Sequence, residues 1–230
     1  MTPRPSTAEP PPQVLQNDTK ARLLDAMVQI FAEHGFHATS MRAVTQLAGT
    51  SVSAAHYHFG SKEELLRAAL RQRAEPLNTL RLARLDEMER SAKEGRARVA
   101  EILDAFISPL IELRPDLGDD DHPHRNLAAR LYLDPSEVVR SMQQELFGPV
   151  TLRFRRALEK SLPEVSPETI EVTLQLSLGV VVHSISGRFS WPESGKDSSG
   201  AQRRQAAKKL ISFAVAGVLA VAEADEGEAR

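Results

Sequence analysis

Residues 39–66, TSMRAVTQLAGTSVSAAHYHFGSKEELL, decide the fold of this 230-residue chain. Thr39 or Ser40 offers a side-chain oxygen to cap a helix running from about Ser40 to Ala48. Gly49 ends that helix, where a left-handed residue is needed at little cost. Ser51 caps a second helix, Val52 to Phe59, and the short interval between the two is the turn of a helix-turn-helix. Ser61 and Glu64 have the spacing of a capping box before the apolar pair Leu65 and Leu66. A short, rigidly held helix with small outward side chains, Ser51, Val52, Ser53, Ala54 and His56, has the dimensions of a major-groove reader.

Working outward, Asp18 or Thr19 is expected to start a helix whose Leu23, Met27, Ile30 and Phe31 share one face, and Gly35 to stop it. Met41, Val44, Leu47, Ala48, Ala55 and Phe59 are the expected inward residues of the motif. Leu65, Leu66, Ala69 and Leu70 continue the core, and Pro76 marks the start of a further helix. Beyond it the periodicity predicts helices over 98–113 (with Pro109 a kink), 127–133, from Pro135 through a bend at Pro149, from Ser166 or Pro167, and over 201–224. There is no alternating apolar pattern and no internal repeat. The expected fold is all-α, with nine or ten helices. A Pro-rich, disordered tail is expected over 1–17, a DNA-binding unit over 18–75, a larger helical unit over 76–225, and a second tail over 226–230.

Composition narrows the chemistry. Apolar residues make up 41% and charged residues 26%, an ordinary globular balance, and there is no cysteine, so neither disulfides nor thiolate metal sites. The longest apolar run, Leu210 to Ala222, is too short to cross a bilayer, and the opening segment has no signal-peptide core. The reading is a cytoplasmic protein. Net charge is −2, and the first 75 residues hold 8 Lys and Arg against 7 Asp and Glu. Affinity for a polyanion must therefore come from a few placed donors, doubled by dimerisation. Asp119, Asp120, Asp121, His122 and His124 sit among Gly and Pro without a helical register, which reads as a solvated loop, and no metal is assigned. No phosphate loop, nucleophile elbow or catalytic carboxylate pair is present, so neither an enzyme nor a cofactor is expected.

Thr39-Ser40 before Met41-Arg42, Ala48-Gly49 at the turn, and Tyr57-His58-Phe59-Gly60-Ser61-Lys62-Glu63-Glu64-Leu65 closely resemble the DNA-binding region of the tetracycline-repressor-type (TetR/AcrR) family of bacterial regulators. The likeness extends back through His34-Gly35-Phe36, with Thr45 and Thr50 as departures that loosen packing. It implies that Arg42 reaches guanine, and that Tyr57, His58 and, foremost, Lys62 hold phosphates with help from Thr39 and Ser40. It also implies that the last two helices pair with their symmetry mates. Leu174, Leu178, Val181, Ile185, Phe213 and Gly217 are the expected dimer contacts, and His183 an interior or interface histidine.

More loosely, Ala128-Ala129-Arg130-Leu131, Phe147-Gly148 and the stretch around Ser177-Leu178-Gly179 resemble the subgroup that senses fatty acids or their coenzyme A esters. Phe106, Leu110, Leu131, Phe147, Phe154 and Val182 are candidates to enclose an apolar effector, with a filled core the alternative, and Arg130 or Arg188 to meet an anionic head group. The implied function is a dimeric repressor of a palindromic operator, bound to the bacterial nucleoid and released by a small effector. The rivals are an activator, a regulator with a non-lipid effector, and a helical protein-interaction module.

Overall fold

The computed structural model describes residues 12–90, 95–113, 126–185 and 200–228; the side chains of 12–17, 96, 185, 200–204, 206 and 226–228 lie outside the description. Within it every element is a helix. They are α1 (Pro12–Ala38), α2 (Met41–Leu47), α3 (Val52–Phe59), α4 (Lys62–Glu89), α5 (Arg96–Glu112), α6 (Leu127–Leu133), α7 (Glu137–Ser161), α8 (Pro167–Ile185) and α9 (Gly200–Glu228).

The caps fall where the sequence puts them. Ser40, Ser51 and Ser61 each accept a backbone N–H three residues on, at 3.1, 3.0 and 3.1 Å. The capping box at α4 is only half built, because the Glu64 carboxylate pairs with Arg67 instead of returning to Ser61. Helix α1 begins at Pro12 rather than near Asp18, since proline suits a first helical turn, where its missing N–H has no partner to lose. Pro76 likewise lies inside α4, not at the start of a new helix. A 28-residue helix thus crosses the expected boundary at 75/76.

Two apolar cores result. The first joins α1–α4 around Leu23, Met27, Phe31, Val44, Ala55, Leu65 and Leu66, and it also takes in Leu131, Val139 and Met142 from α6 and α7. The second is built from α4, α5 and α7–α9 around Leu85, Ile102, Phe106, Phe154, Leu158, Leu174 and Val181. Thr45, a departure from the usual small residue, is buried but donates its hydroxyl to the Arg42 carbonyl at 3.1 Å, so it leaves no unsatisfied group. Leu47, expected inward, is instead largely exposed along a cleft described below.

Two in-helix prolines are handled alike. Proline lacks the N–H that continues the helical ladder and spreads the turn before it. In α5 the carbonyl three residues before Pro109, that of Phe106, accepts from Arg81 Nε at 2.7 Å. In α7 the carbonyl three residues before Pro149, that of Leu146, accepts from Asn78 Nδ2 at 2.7 Å. Asn78 and Arg81 are one turn apart on α4, so one face of one helix serves both loosened turns.

Gly35 interrupts α1 with φ 78° and ψ 178°, a conformation open essentially to glycine alone. A β-carbon there would lie 2.8 Å from Asp134 Oδ2 and 3.4 Å from Arg130. Gly35→Ala should therefore lower stability by about 2 kcal/mol or more in urea unfolding. Gly60→Ala, also at positive φ but with open space around it, should lose less; equal losses at the two positions would contradict the clash.

Candidate nucleic-acid interface and effector cleft

The candidate reading surface is built by α2 and α3. Ser51, Val52, Ser53 and His56 are exposed on α3, Ala54 is half-exposed, and Arg42 is exposed on the first turn of α2. Buried Ala55 anchors α3 from behind, which leaves the opposite face free. Tyr57 is 79% exposed, its ring edge-on to His58 at 5.2 Å. The His56 ring donates from Nδ1 to the Gly60 carbonyl at 2.5 Å, which fixes that imidazole against the end of α3 and leaves Nε2 for another partner.

Two expected contacts take on other roles. Thr39 is 3% exposed and donates its hydroxyl to the Gly35 carbonyl at 2.7 Å, so it has no side chain to offer a phosphate. Lys62 donates to the Phe36 carbonyl at 3.0 Å and the Thr39 carbonyl at 3.1 Å, with its ammonium 4.0 Å from the centre of the Phe36 ring. Carbonyls at the end of a helix attract cations. Lys62 is therefore first a staple between α4 and the end of α1. Ser40 is exposed, and its hydroxyl caps α2.

That end of α1 is held from a third side. Asp134, just past α6, accepts from the Phe36 N–H at 3.0 Å and from the Ser136 N–H at 3.0 Å. Arg130 donates to the Glu33 carbonyl at 2.9 Å. Arg130 is thus committed to α1, and the expectation that it meets an effector head group is corrected. Arg22 does similar service for α2, donating to the Ala48 carbonyl at 3.0 Å.

Between these helices and the larger core lies a cleft of about 660 Å³. Leu110, Leu131 and Phe147 line it, together with Leu77, Arg81, Leu127, Tyr132 and Leu178, and with Ala26 of α1 and Leu47 of α2. Phe106, Phe154 and Val182 do not line it. They are packed into the second core, where the Phe106 and Phe154 rings stand 4.9 Å apart. Arg81 was missed, although its sequence signal was available. It stands four residues from both Leu77 and Leu85, a charge within an apolar helical stripe. Burial pushes its guanidinium down to about 10, with Tyr132 opposing the shift, and burial raises the Tyr132 phenol. At neutral pH the first stays cationic and the second neutral.

On α8 and α9, Leu174, Leu178 and Val181 are buried within the chain, so the expected dimer face is corrected by rotation of α8. The outward face carries Val172, Leu176 (61% exposed) and Gly179, beside Phe213 (64% exposed), Gly217 and Val221 of α9. His183 lies exposed along the same groove rather than in the interior. Ile185's side chain, Arg188 and the 119–124 loop lie outside the described residues. Among the described residues no acidic or histidine cluster could hold a metal, and no helix is long and apolar enough to cross a membrane.

The two candidate DNA residues at the helix junctions separate in a stability measurement. Lys62→Ala, which removes a charged donor from two carbonyls, should cost about 1–3 kcal/mol in urea unfolding without DNA. Arg42→Ala, on an exposed turn, should stay within about 0.5 kcal/mol of the parent. A Lys62→Ala protein as stable as the parent would refute the staple.

Residues 23–69 match the family described as "Bacterial regulatory proteins, tetR family", and residues 104–217 match "Tetracyclin repressor-like, C-terminal domain". The chain is 40% identical over 174 residues to the HTH-type transcriptional regulator UidR of Escherichia coli strain K12, covering 71% of this chain and 80% of that protein. HTH-type transcriptional regulator RutR of the same strain is 42% identical over 53 residues, 23% of this chain and 25% of that protein. Among solved structures, a putative transcriptional regulator from Pseudomonas aeruginosa PAO1 superposes with a TM-score of 0.62 at 18% identity, covering 92% of this chain and 93% of that one. The fatty acid degradation regulator FadR from Bacillus halodurans gives 0.59 at 16% identity, with 90% and 97% covered. At these identities the structural likeness establishes the fold alone. Capped helix-turn-helix, second helical core and the regulator relatives agree: this chain belongs to the TetR family of DNA-binding transcriptional regulators and is not an enzyme.

Proposed function

We propose that the chain is a homodimeric repressor that binds a palindromic operator on the bacterial nucleoid and leaves it when a small apolar effector enters the cleft. The observation that carries this reading is the exposed face of α3, with Ser51, Val52, Ser53 and His56 outward and Ala55 locked behind. Arg42 supplies a planar fork suited to guanine O6 and N7, Val52 and Ala54 offer apolar contact to thymine methyls, and Tyr57 and His58 are placed at the end of α3 for phosphates. Lys62 retains one N–H beyond its two carbonyl bonds for the same purpose.

A second copy is the occupant proposed for the α8/α9 face. Leu176 and Phe213 expose apolar area that a monomer would leave in water. A β-carbon at Gly179 or Gly217 would meet nothing within 4 Å, so a partner helix could approach closely there. Two-fold pairing presents two α3 helices to successive major grooves, which also offsets the weak basic balance of the reading unit. The effector assignment rests on the cleft, which has a volume suited to a fatty-acyl chain or another small apolar molecule and touches both α1 and α2. Release requires the effector to bind one arrangement of the dimer more tightly than the other.

A gel-shift against the DNA upstream of the chain's own reading frame should show selective, salt-sensitive binding. Arg42→Ala should cost about 1–3 kcal/mol and relax selectivity at one base pair per half-site; uniform weakening across sequences would remove its base-reading role. Phe213→Glu should give a folded monomer by native mass spectrometry and lose the palindrome at concentrations where the parent binds. A variant that stays dimeric would displace the proposed interface.

A further inference from the structure

Among the described residues three arginines reach the cleft wall, and two of them are already engaged. Arg73 pairs with Asp25 at 2.6 Å, while Arg22 pairs with Asp18 at 3.2 Å and caps the Ala48 carbonyl. Arg81 differs. It is 3% exposed, and among the described residues it faces no carboxylate and makes one hydrogen bond, from Nε to the Phe106 carbonyl. The Phe106 ring lies 4.2 Å from its guanidinium carbon and covers one face of the fork. Neither terminal NH₂ group has a hydrogen-bond acceptor among the described residues, and the residue forms part of the cleft wall.

A buried cation with open donors is unfavourable unless an anion or a polar group meets it. The ring behind it and the Nε bond fix the plane of the fork, so its two terminal nitrogens are held ready for a planar, two-oxygen acceptor. The rest of the wall is mostly apolar, with Leu77, Leu110, Leu131 and Phe147 among its members.

We propose that the cleft is a receptor for an organic carboxylate with an apolar body, whose head group is bound by the terminal nitrogens of Arg81. The proposal deepens the effector reading above, since it gives that effector a charge and a fixed orientation. The head group lies against α4, and the body extends along α6 toward Leu47 and Ala48 at the helix-turn-helix corner. Tyr132, a phenol that is neutral at neutral pH, adds no competing charge beside the guanidinium.

Isothermal titration of the full chain with decanoate, 4-phenylbutyrate and cyclohexanecarboxylate, each against its own neutral primary amide, tests this. At least one acid should bind ten-fold or more tightly than its amide, and Arg81→Gln should abolish that preference. Arg81→Lys should restore part of it. If Arg81→Gln fails to fold, the side-chain Nε–H resonance of Arg81 in the parent protein provides the second readout. It should shift on adding the acid and not on adding the amide. No acid bound more tightly than its amide, a preference that survives Arg81→Gln, or an unmoved resonance would each overturn the proposal. A chain that prefers carboxylates through Arg81 yet binds no DNA would instead refute the repressor reading and support the anion site.

Discussion

At the end of α1 the chain turns through Gly35, and the polar groups exposed by that turn are met by side chains from three other places. The Phe36 N–H reaches Asp134 beyond α6, the Glu33 carbonyl takes Arg130 of α6, and the Phe36 and Thr39 carbonyls take Lys62 of α4. Helix ends carry unsatisfied groups that must find partners. Here the partners come from distant parts of the sequence, so satisfying one corner fixes how α1, α4 and α6 meet. The placement of α2 and α3 follows, because both hang from that corner and from the α1 residue Arg22. Each bond is modest, but several converge on one short segment that cannot move independently of them.

This arrangement joins the two halves of the molecule physically. The first apolar core draws Leu131, Val139 and Met142 from α6 and α7 into the same cluster as the residues behind α3. The cleft lies along that seam, lined by residues of α1, α2, α4 and α6 among others. A molecule entering it would press on helices whose ends are tied to the reading unit. That is a route for coupling that needs no long chain of intermediaries, only two arrangements of one joint with different affinity for the molecule.

Much of the reading unit was legible in the sequence because it is specified by local rules. Ser40, Ser51 and Ser61 cap the helices they precede, and Gly49 takes the positive φ the turn demands. What was not legible depended on partners far away in the chain. Nothing near Lys62 announces that its ammonium turns back to Phe36, and nothing near Arg130 announces Glu33. The dimer residues show the same limit: α8 is apolar around most of its circumference, so periodicity could not tell which side faces its own core. Leu174 and Leu178 face inward and Leu176 outward, a rotation that only packing against the rest of the second core decides. Arg81 is the converse case, a charge at a core position whose meaning waited on the cleft beside it.

Amide hydrogen exchange on the parent and on Asp134→Ala bears most directly on the claim that this corner joins the two halves. Removing one carboxylate beyond α6 should raise exchange across residues 33–60, including both reading helices, and leave α8 and α9 as they were. Faster exchange confined to the neighbourhood of residue 134, with α2 and α3 as protected as before, would contradict it.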